Sequence, residues 1–195
     1  MEKRIDGETY HTLPYTSTGY VRREVKKAMY KVRPWLVGIQ PDLETYELLL
    51  EAFRGGNTHA NRKYVGKIIT NVKSVDKSSA YPSAQVMHMF PVSRFLKEEN
   101  LSIDHLIELI EKRKRACLFR IRFWNLSANE SVYFPYISRH KCRDVIGCIE
   151  DNGRILFAQF CETTLTDIDF KIIMNQYTFS DVQITCLYSA RYGTL

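Results

Sequence analysis

Residues 145–160 read VIGCIEDNGRILFAQF, two apolar runs, Val145–Ile149 and Ile155–Phe160, parted by Asp151-Asn152-Gly153. Asn and Gly tolerate the positive φ that a tight hairpin turn demands, so the stretch predicts a β-hairpin. Downstream, Thr166 is placed to cap a helix from Asp167 to Gln176, and Asp167 and Asp169 suit the positive end of its dipole. A last strand is expected over Val182–Tyr188. Upstream, Cys117, Phe119, Ile121 and Phe123 alternate with Leu118, Arg120, Arg122 and Trp124, the period of a strand with one buried and one charged face. A helix capped by Ser102 and carrying Ile103, Leu106, Ile107 and Ile110 leads directly into that strand.

Further toward the N-terminus, Leu13-Pro14-Tyr15-Thr16-Ser17-Thr18-Gly19 reads as a loop, followed by a short basic helix from Tyr20 to Tyr30 that ends before Pro34. Asp42 is an N-cap, Leu43, Tyr46, Leu50 and Phe53 form a helical apolar stripe, and Gly55-Gly56 stop that helix. Val65, Ile68, Ile69 and Val72 suggest a strand over Tyr64–Ser74, and Pro82 fits the first turn of a helix reaching about Met89. Nothing repeats at a period of 20 to 50 residues, which excludes solenoids and propellers. Strands and helices interleave without the regular alternation of a parallel α/β fold, so the expected class is α+β with a mainly antiparallel sheet.

A chain of 195 residues with 45% hydrophobic and 26% charged residues has the balance of a folded domain. No apolar run reaches the roughly 18 residues of a membrane helix, and MEKRIDGETYH is too polar for a secretory signal, so the chain reads as cytoplasmic, with no membrane partner. Five scattered cysteines argue for reduced thiols rather than a disulfide framework. His140-Lys141-Cys142 with Cys148 could be half of a zinc site, but no second half accompanies it. The net charge of +6 suits a polyanionic partner. Basic residues crowd two segments, Arg22, Arg23, Lys26, Lys27, Lys31 and Arg33 in one and Lys112 to Arg115 in the other, for which solvated helix faces are the simpler reading.

Asp76 stands at the end of the expected strand and before a turn into a helix. That is a place where one carboxylate can bind Mg²⁺ and backbone N–H groups can bind phosphate oxygens. Tyr81, five residues on, would set a flat ring near a nucleotide sugar. Taken alone, an Asp at a strand end is more often a cap or a surface residue. The whole string Asp76-Lys77-Ser78-Ser79-Ala80-Tyr81-Pro82-Ser83 resembles the first palm motif of phage and prophage family B DNA polymerases, relatives of the protein-primed enzymes, in which an Asp is followed by S-x-Y-P. The resemblance implies that Asp76 is catalytic and binds the metals, that Tyr81 is the steric gate against ribonucleotides, and that Ser78 and Ser79 help bind the incoming nucleotide.

Phe53-Arg54-Gly55-Gly56 looks like the family's Y-x-G-G segment, which contacts the template strand, with Phe in place of Tyr. Glycines let a backbone approach a phosphate closely. By this resemblance Phe53, Arg54, Gly55, Gly56 and, after Asn57-Thr58-His59-Ala60-Asn61, Arg62 bind DNA. Leu165-Thr166-Asp167-Ile168-Asp169-Phe170 and Thr18-Gly19-Tyr20-Val21-Arg22-Arg23 also look like segments of such polymerases, so the likeness runs from about residue 13 to 192. It implies a partial palm plus an inserted small α/β subdomain: 1–100 following the exonuclease region and forming the first half of the palm, 101–165 inserted, 166–195 returning to the palm. The implied partners are primer–template DNA, a deoxynucleoside triphosphate and the remaining polymerase domains.

Two-metal phosphoryl transfer needs at least two carboxylates around ions about 3.5–4 Å apart. The family's D-T-D segment and its K-x-x-x-N-S-x-Y-G fingers helix are both missing from the sequence. The chain therefore reads as an internal piece of a polymerase that does not extend primers alone. A non-catalytic nucleic-acid-binding module is the alternative, with Arg54, Arg62, Lys63 and the basic helix tracking phosphates. A partner-binding protein using a Phe119/Phe123 face is a third.

Overall fold

The computed structural model describes residues 16–56, 58 and 61–194. Contacts divide the chain into two units that meet at Gln40/Pro41. The first contains helix α1, Ser17–Gly38, whose N-cap Thr16 accepts the Gly19 N–H at 3.1 Å. The helix outruns the expected stop and passes through Pro34. Proline's φ is compatible with a helix, and what it removes is the N–H that would have bonded the carbonyl four residues back. No residue of α1 is buried.

The second unit begins with α2, Leu43–Ala52, capped by Asp42, which accepts the Thr45 N–H at 2.9 Å. Its inward face differs from the expected stripe. Leu43, Tyr46, Leu50 and Phe53 are exposed, while Thr45, Leu48 and Ala52 are buried. The reason is polar: Glu51, on the inward side, takes ion pairs from Arg120 and Arg143, which turns that side of the helix onto the sheet. The helix ends when Phe53 turns extended, ahead of the glycines.

The strand expected over Tyr64–Ser74 does not form. A 3₁₀ turn, Arg62–Tyr64, is followed by irregular backbone in which Ile68 is 98% exposed and Val75 91%. A strand needs a neighbour for its N–H and C=O groups, and among the described residues no strand lies beside this segment. Helix α3, Ala80–Met87, then forms with Pro82 in its first turn, as the sequence suggests.

Short strands β1, Phe90–Pro91, and β2, Leu96–Lys97, precede α4, Ile103–Ile107, which widens into a π turn over Glu108–Lys112. The long strand β3, Arg115–Ala128, follows, then β4, Cys142–Ile146, β5, Ile149–Asp151, and β6, Arg154–Thr166. Helix α5, Asp167–Gln176, leads to β7, Tyr177–Thr178, and β8, Asp181–Gly193. The sheet runs β1-β8-β3-β6-β4, and all its pairings are antiparallel. The expected hairpin is the β5–β6 turn, with Asn152 and Gly153 both at positive φ.

One sheet face holds the main core. Phe119, Ile121 and Phe123 are fully buried against Leu106, Leu109, Phe170 and Ile173 from the helices. This removes the premise of a Phe119/Phe123 docking face, since those rings are interior. Asn125, at φ 48, breaks the alternation of the strand, so that Leu126 rather than Asn125 enters the core. On the other face, Leu118 and Tyr188 pack under Leu48 and Ala52 of α2. That face is therefore only partly the charged surface its alternation suggests.

Candidate nucleic-acid interface

The extended turn at Phe53 sends Arg54 inward, where its side chain is only 12% exposed. Its guanidinium lies 3.5 Å from Asp169 Oδ1, donates to Thr163 Oγ1 at 3.4 Å and to the Thr164 carbonyl at 3.3 Å, and stacks over the Tyr136 ring at 5.5 Å. Asp169 Oδ2 accepts the backbone N–H and the hydroxyl of Thr166, both at 2.8 Å, closing a capping box at the start of α5. Oδ1 also accepts the Tyr136 hydroxyl. Burial, with that bond and the Asp169 charge behind it, pushes the Tyr136 phenol well above its ordinary value. Arg54 Nη1 is buried and finds no acceptor among the described residues.

Above this cluster lies a cleft of about 600 Å³. One wall is Arg54, Gly55, Gly56 and Thr58, the loop leaving α2; the other is Ser138, His140 and Lys141 with the Asn152–Arg154 turn. Thr166 and Asp169 are at its floor. Lys141 Nζ stands 5.9 Å over the exposed Phe53 ring, and Arg154 donates to the Tyr136 carbonyl at 2.8 Å. Three full cations, Arg54, Lys141 and Arg154, thus line the cleft with one carboxylate, a balance that attracts anions. A Cβ added to Gly55 or Gly56 would meet nothing among the described residues, and neither has a left-handed φ. Nothing among the described residues requires glycine there, and the open space leaves room for a ligand to reach the backbone.

Sequence reasoning picked out one wall of this cleft. Arg62 begins the short 3₁₀ turn, while Asn57, His59 and Ala60 of the intervening segment lie outside the described residues. It missed Tyr136 and Arg154, read His140 and Lys141 only as part of half a zinc site with Cys142, and read Asp169 only as part of a helix start. Asp76, Ser78 and Ser79 lie in exposed backbone leading into α3 and Tyr81 in its first turn, with Ser79 at φ 51 and Tyr81 81% exposed, and none of them lines the cleft. Among the described residues no three His, Cys, Asp or Glu side chains converge to hold a metal ion. Asp76 alone does not make a two-metal site. No helix among them is long and apolar enough to cross a membrane.

No protein-family model matches the chain and no curated protein is similar to it. Two solved structures share its fold. A phi29 DNA polymerase complexed with primer–template DNA and incoming nucleotide substrates aligns at a TM-score of 0.57 and 17% identity, over 79% of this chain and 25% of its own. An orthorhombic crystal form of phi29 DNA polymerase aligns at 0.54 and 16%, over 78% and 25%. The chain spans about a quarter of the length of these polymerases, and over that quarter it has their fold.

Proposed function

We propose that this chain is part of a DNA-directed DNA polymerase of the phage family B type, and that it holds primer–template DNA in the cleft between Gly55-Gly56 and Lys141. The observation that carries the proposal is the cleft itself: two glycines facing open space opposite a cationic wall, on a polymerase-like fold. Phosphodiester oxygens suit such a site, with backbone N–H groups approaching closely and lysine and arginine offsetting the charge.

In the whole enzyme a primer 3′-hydroxyl attacks the α-phosphate of a deoxynucleoside triphosphate, a reaction to which Mg²⁺ supplies charge stabilisation. This chain's share is Asp76 as one metal ligand, Ser78 and Ser79 beside the triphosphate, and Tyr81 against the sugar. One carboxylate is too few for the reaction, so the chain alone does not polymerise. Residues 1–100 are assigned to the segment following the exonuclease region and the first half of the palm, 101–165 to an inserted subdomain, and 166–195 to the return to the palm. Because β8 pairs along β3, the last two pieces share one sheet.

A second reading, a non-catalytic nucleic-acid-binding module, is favoured by the cleft being complete within this chain while the metal site is not. Fluorescence anisotropy with a labelled primer–template at two salt concentrations tests DNA binding. The proposal expects binding that weakens with salt and with Lys141→Ala; no binding at low salt sinks it. Loss of Mg²⁺-dependent nucleotide binding in Asp76→Ala favours the polymerase reading, and indifference to that change favours the module.

A further inference from the structure

We propose that Cys142 and Cys161 are a peroxide-responsive dithiol whose disulfide locks one wall of the cleft. Cys142 opens β4 opposite Thr163 of β6, and Cys161 lies two residues along β6 from Thr163. Residues two apart on a strand share a face, so the two cysteines stand diagonally on the same side of the sheet. Their sulfurs are 3.5 Å apart, with the Cys161 thiol donating to Cys142. A disulfide needs about 2.05 Å, a closure that side-chain torsion and the irregular register between Cys142 and Asp144 can supply.

Contact alone would be ordinary core packing, because free cysteines behave as small hydrophobes. Three further features separate this pair. Cys142 is only half-buried, so a small oxidant can reach it, whereas Cys161 is fully buried. Cys142 is the natural nucleophile: the hydrogen bond from Cys161, and the positive charges of Arg54 and Arg139, hold its thiol below the ordinary value. Cys161, which donates that bond, is pushed far up. Finally, Lys141 immediately precedes Cys142, and its carbonyl accepts the Thr163 hydroxyl at 3.1 Å, the same oxygen that Arg54 reaches.

The chemistry balances with a hydroperoxide as oxidant. The Cys142 thiolate attacks the distal oxygen, the O–O bond breaks, and an alcohol or water leaves with a proton, giving the sulfenic acid. The Cys161 sulfur then attacks the Cys142 sulfur, the S–S bond forms, and the sulfenic oxygen departs as water carrying the Cys161 proton. Two thiols are oxidised and one peroxide is reduced. The cross-link joins the strand after Lys141 to β6 covalently, fixing the cationic wall. This consequence for DNA rests on the proposed function, whereas the dithiol itself does not.

The test is to treat the full chain with hydrogen peroxide, alkylate remaining thiols under denaturing conditions, digest with trypsin and weigh the peptides without reduction. Expected is the Cys142-Arg143 dipeptide joined to the peptide of residues 155–171, lighter by the two thiol hydrogens. Cys117, Cys148 and Cys186 should be alkylated, and all five thiols should return after dithiothreitol. Cys142→Ser and Cys142→Ala, changes at the half-buried partner, should each leave Cys161 alkylatable. A stable sulfenic acid on Cys142 with Cys161 still free, or a bond from either cysteine to Cys148, would overturn the proposal. So would five unreacted thiols. Because mass reads the cross-link, its formation is judged apart from any change in DNA affinity.

Discussion

The Arg54 guanidinium stands 3.5 Å from the Asp169 carboxylate, and through that pair the loop leaving α2 is fastened to the first turn of α5. Both side chains are largely buried, at 12% and 8% exposure. Removing one partner leaves a buried charge uncompensated, a loss of about 3–5 kcal/mol in comparable pairs. Asp169→Asn should therefore lower the denaturation midpoint strongly, since asparagine keeps one acceptor oxygen and cannot serve both the Thr166 cap and the Tyr136 hydroxyl, which bond different oxygens of Asp169. A change within about 0.5 kcal/mol, the size of an ordinary surface substitution, would show that the pair does not fasten the loop. Arg54→Ala should behave alike, which is why Lys141, not Arg54, is the better probe of DNA contact.

Tyr177 joins two backbones in the interior. Its hydroxyl accepts the Ile137 N–H at 3.1 Å and donates to the Ile155 carbonyl at 2.9 Å, and the side chain is buried. Tyr177→Phe leaves both groups unpaired and should cost roughly 1–3 kcal/mol for each buried group left without a partner. Urea denaturation measures it, and an unchanged midpoint would mean that the two backbone segments hold each other without the phenol.

What could be read from the sequence was local. The Asn152-Gly153 turn, the Thr166 cap and the Cys117–Phe123 alternation depend on neighbours within a few residues, and each formed where expected. The strand over Tyr64–Ser74 failed because alternation cannot report whether a pairing partner exists. The wrong face of α2 was chosen because Leu43, Tyr46 and Leu50 outweigh Thr45 and Ala52 in apolarity, while the Glu51–Arg120 pair that turns the helix joins residues 69 apart. The cleft suffered likewise. Gly55-Gly56 was visible as a motif, but Lys141 and Arg154 reach it only through sheet pairing.

Acid should act through Glu51. Burial tends to raise its pKa, but the Thr164 hydroxyl, the Arg120 hydrogen bonds and the charges of Arg120 and Arg143 outweigh it, holding the carboxyl below its ordinary 4.5. A carboxylate depressed in the folded state contributes stability that is complete above the unfolded value and is lost as pH falls through the folded one. Wild type should exceed Glu51→Gln in stability at pH 7, and the gap should close as pH drops below 4.5. Denaturation at a series of pH values reads this directly, and a gap that stays constant down to about pH 3 contradicts it.

Gly55 and Gly56 give the sharpest separation of fold from function. A methyl group at either position meets no atom of the described residues, and neither residue has a left-handed φ. Alanine where the backbone already suits it stabilises by about 0.4–1 kcal/mol, because the unfolded chain has fewer conformations to lose. Gly55→Ala and Gly56→Ala should therefore keep or raise the denaturation midpoint. If a phosphodiester approaches the backbone in the cleft, the same methyl groups stand in its way, and primer–template affinity should fall on the order of tenfold, or about 1.4 kcal/mol. Most variants that weaken binding also loosen the protein, so a loss of affinity without a loss of stability can be traced to the ligand's own space. Unchanged affinity in both variants would place the DNA elsewhere on the chain and leave the cationic wall without the role proposed for it.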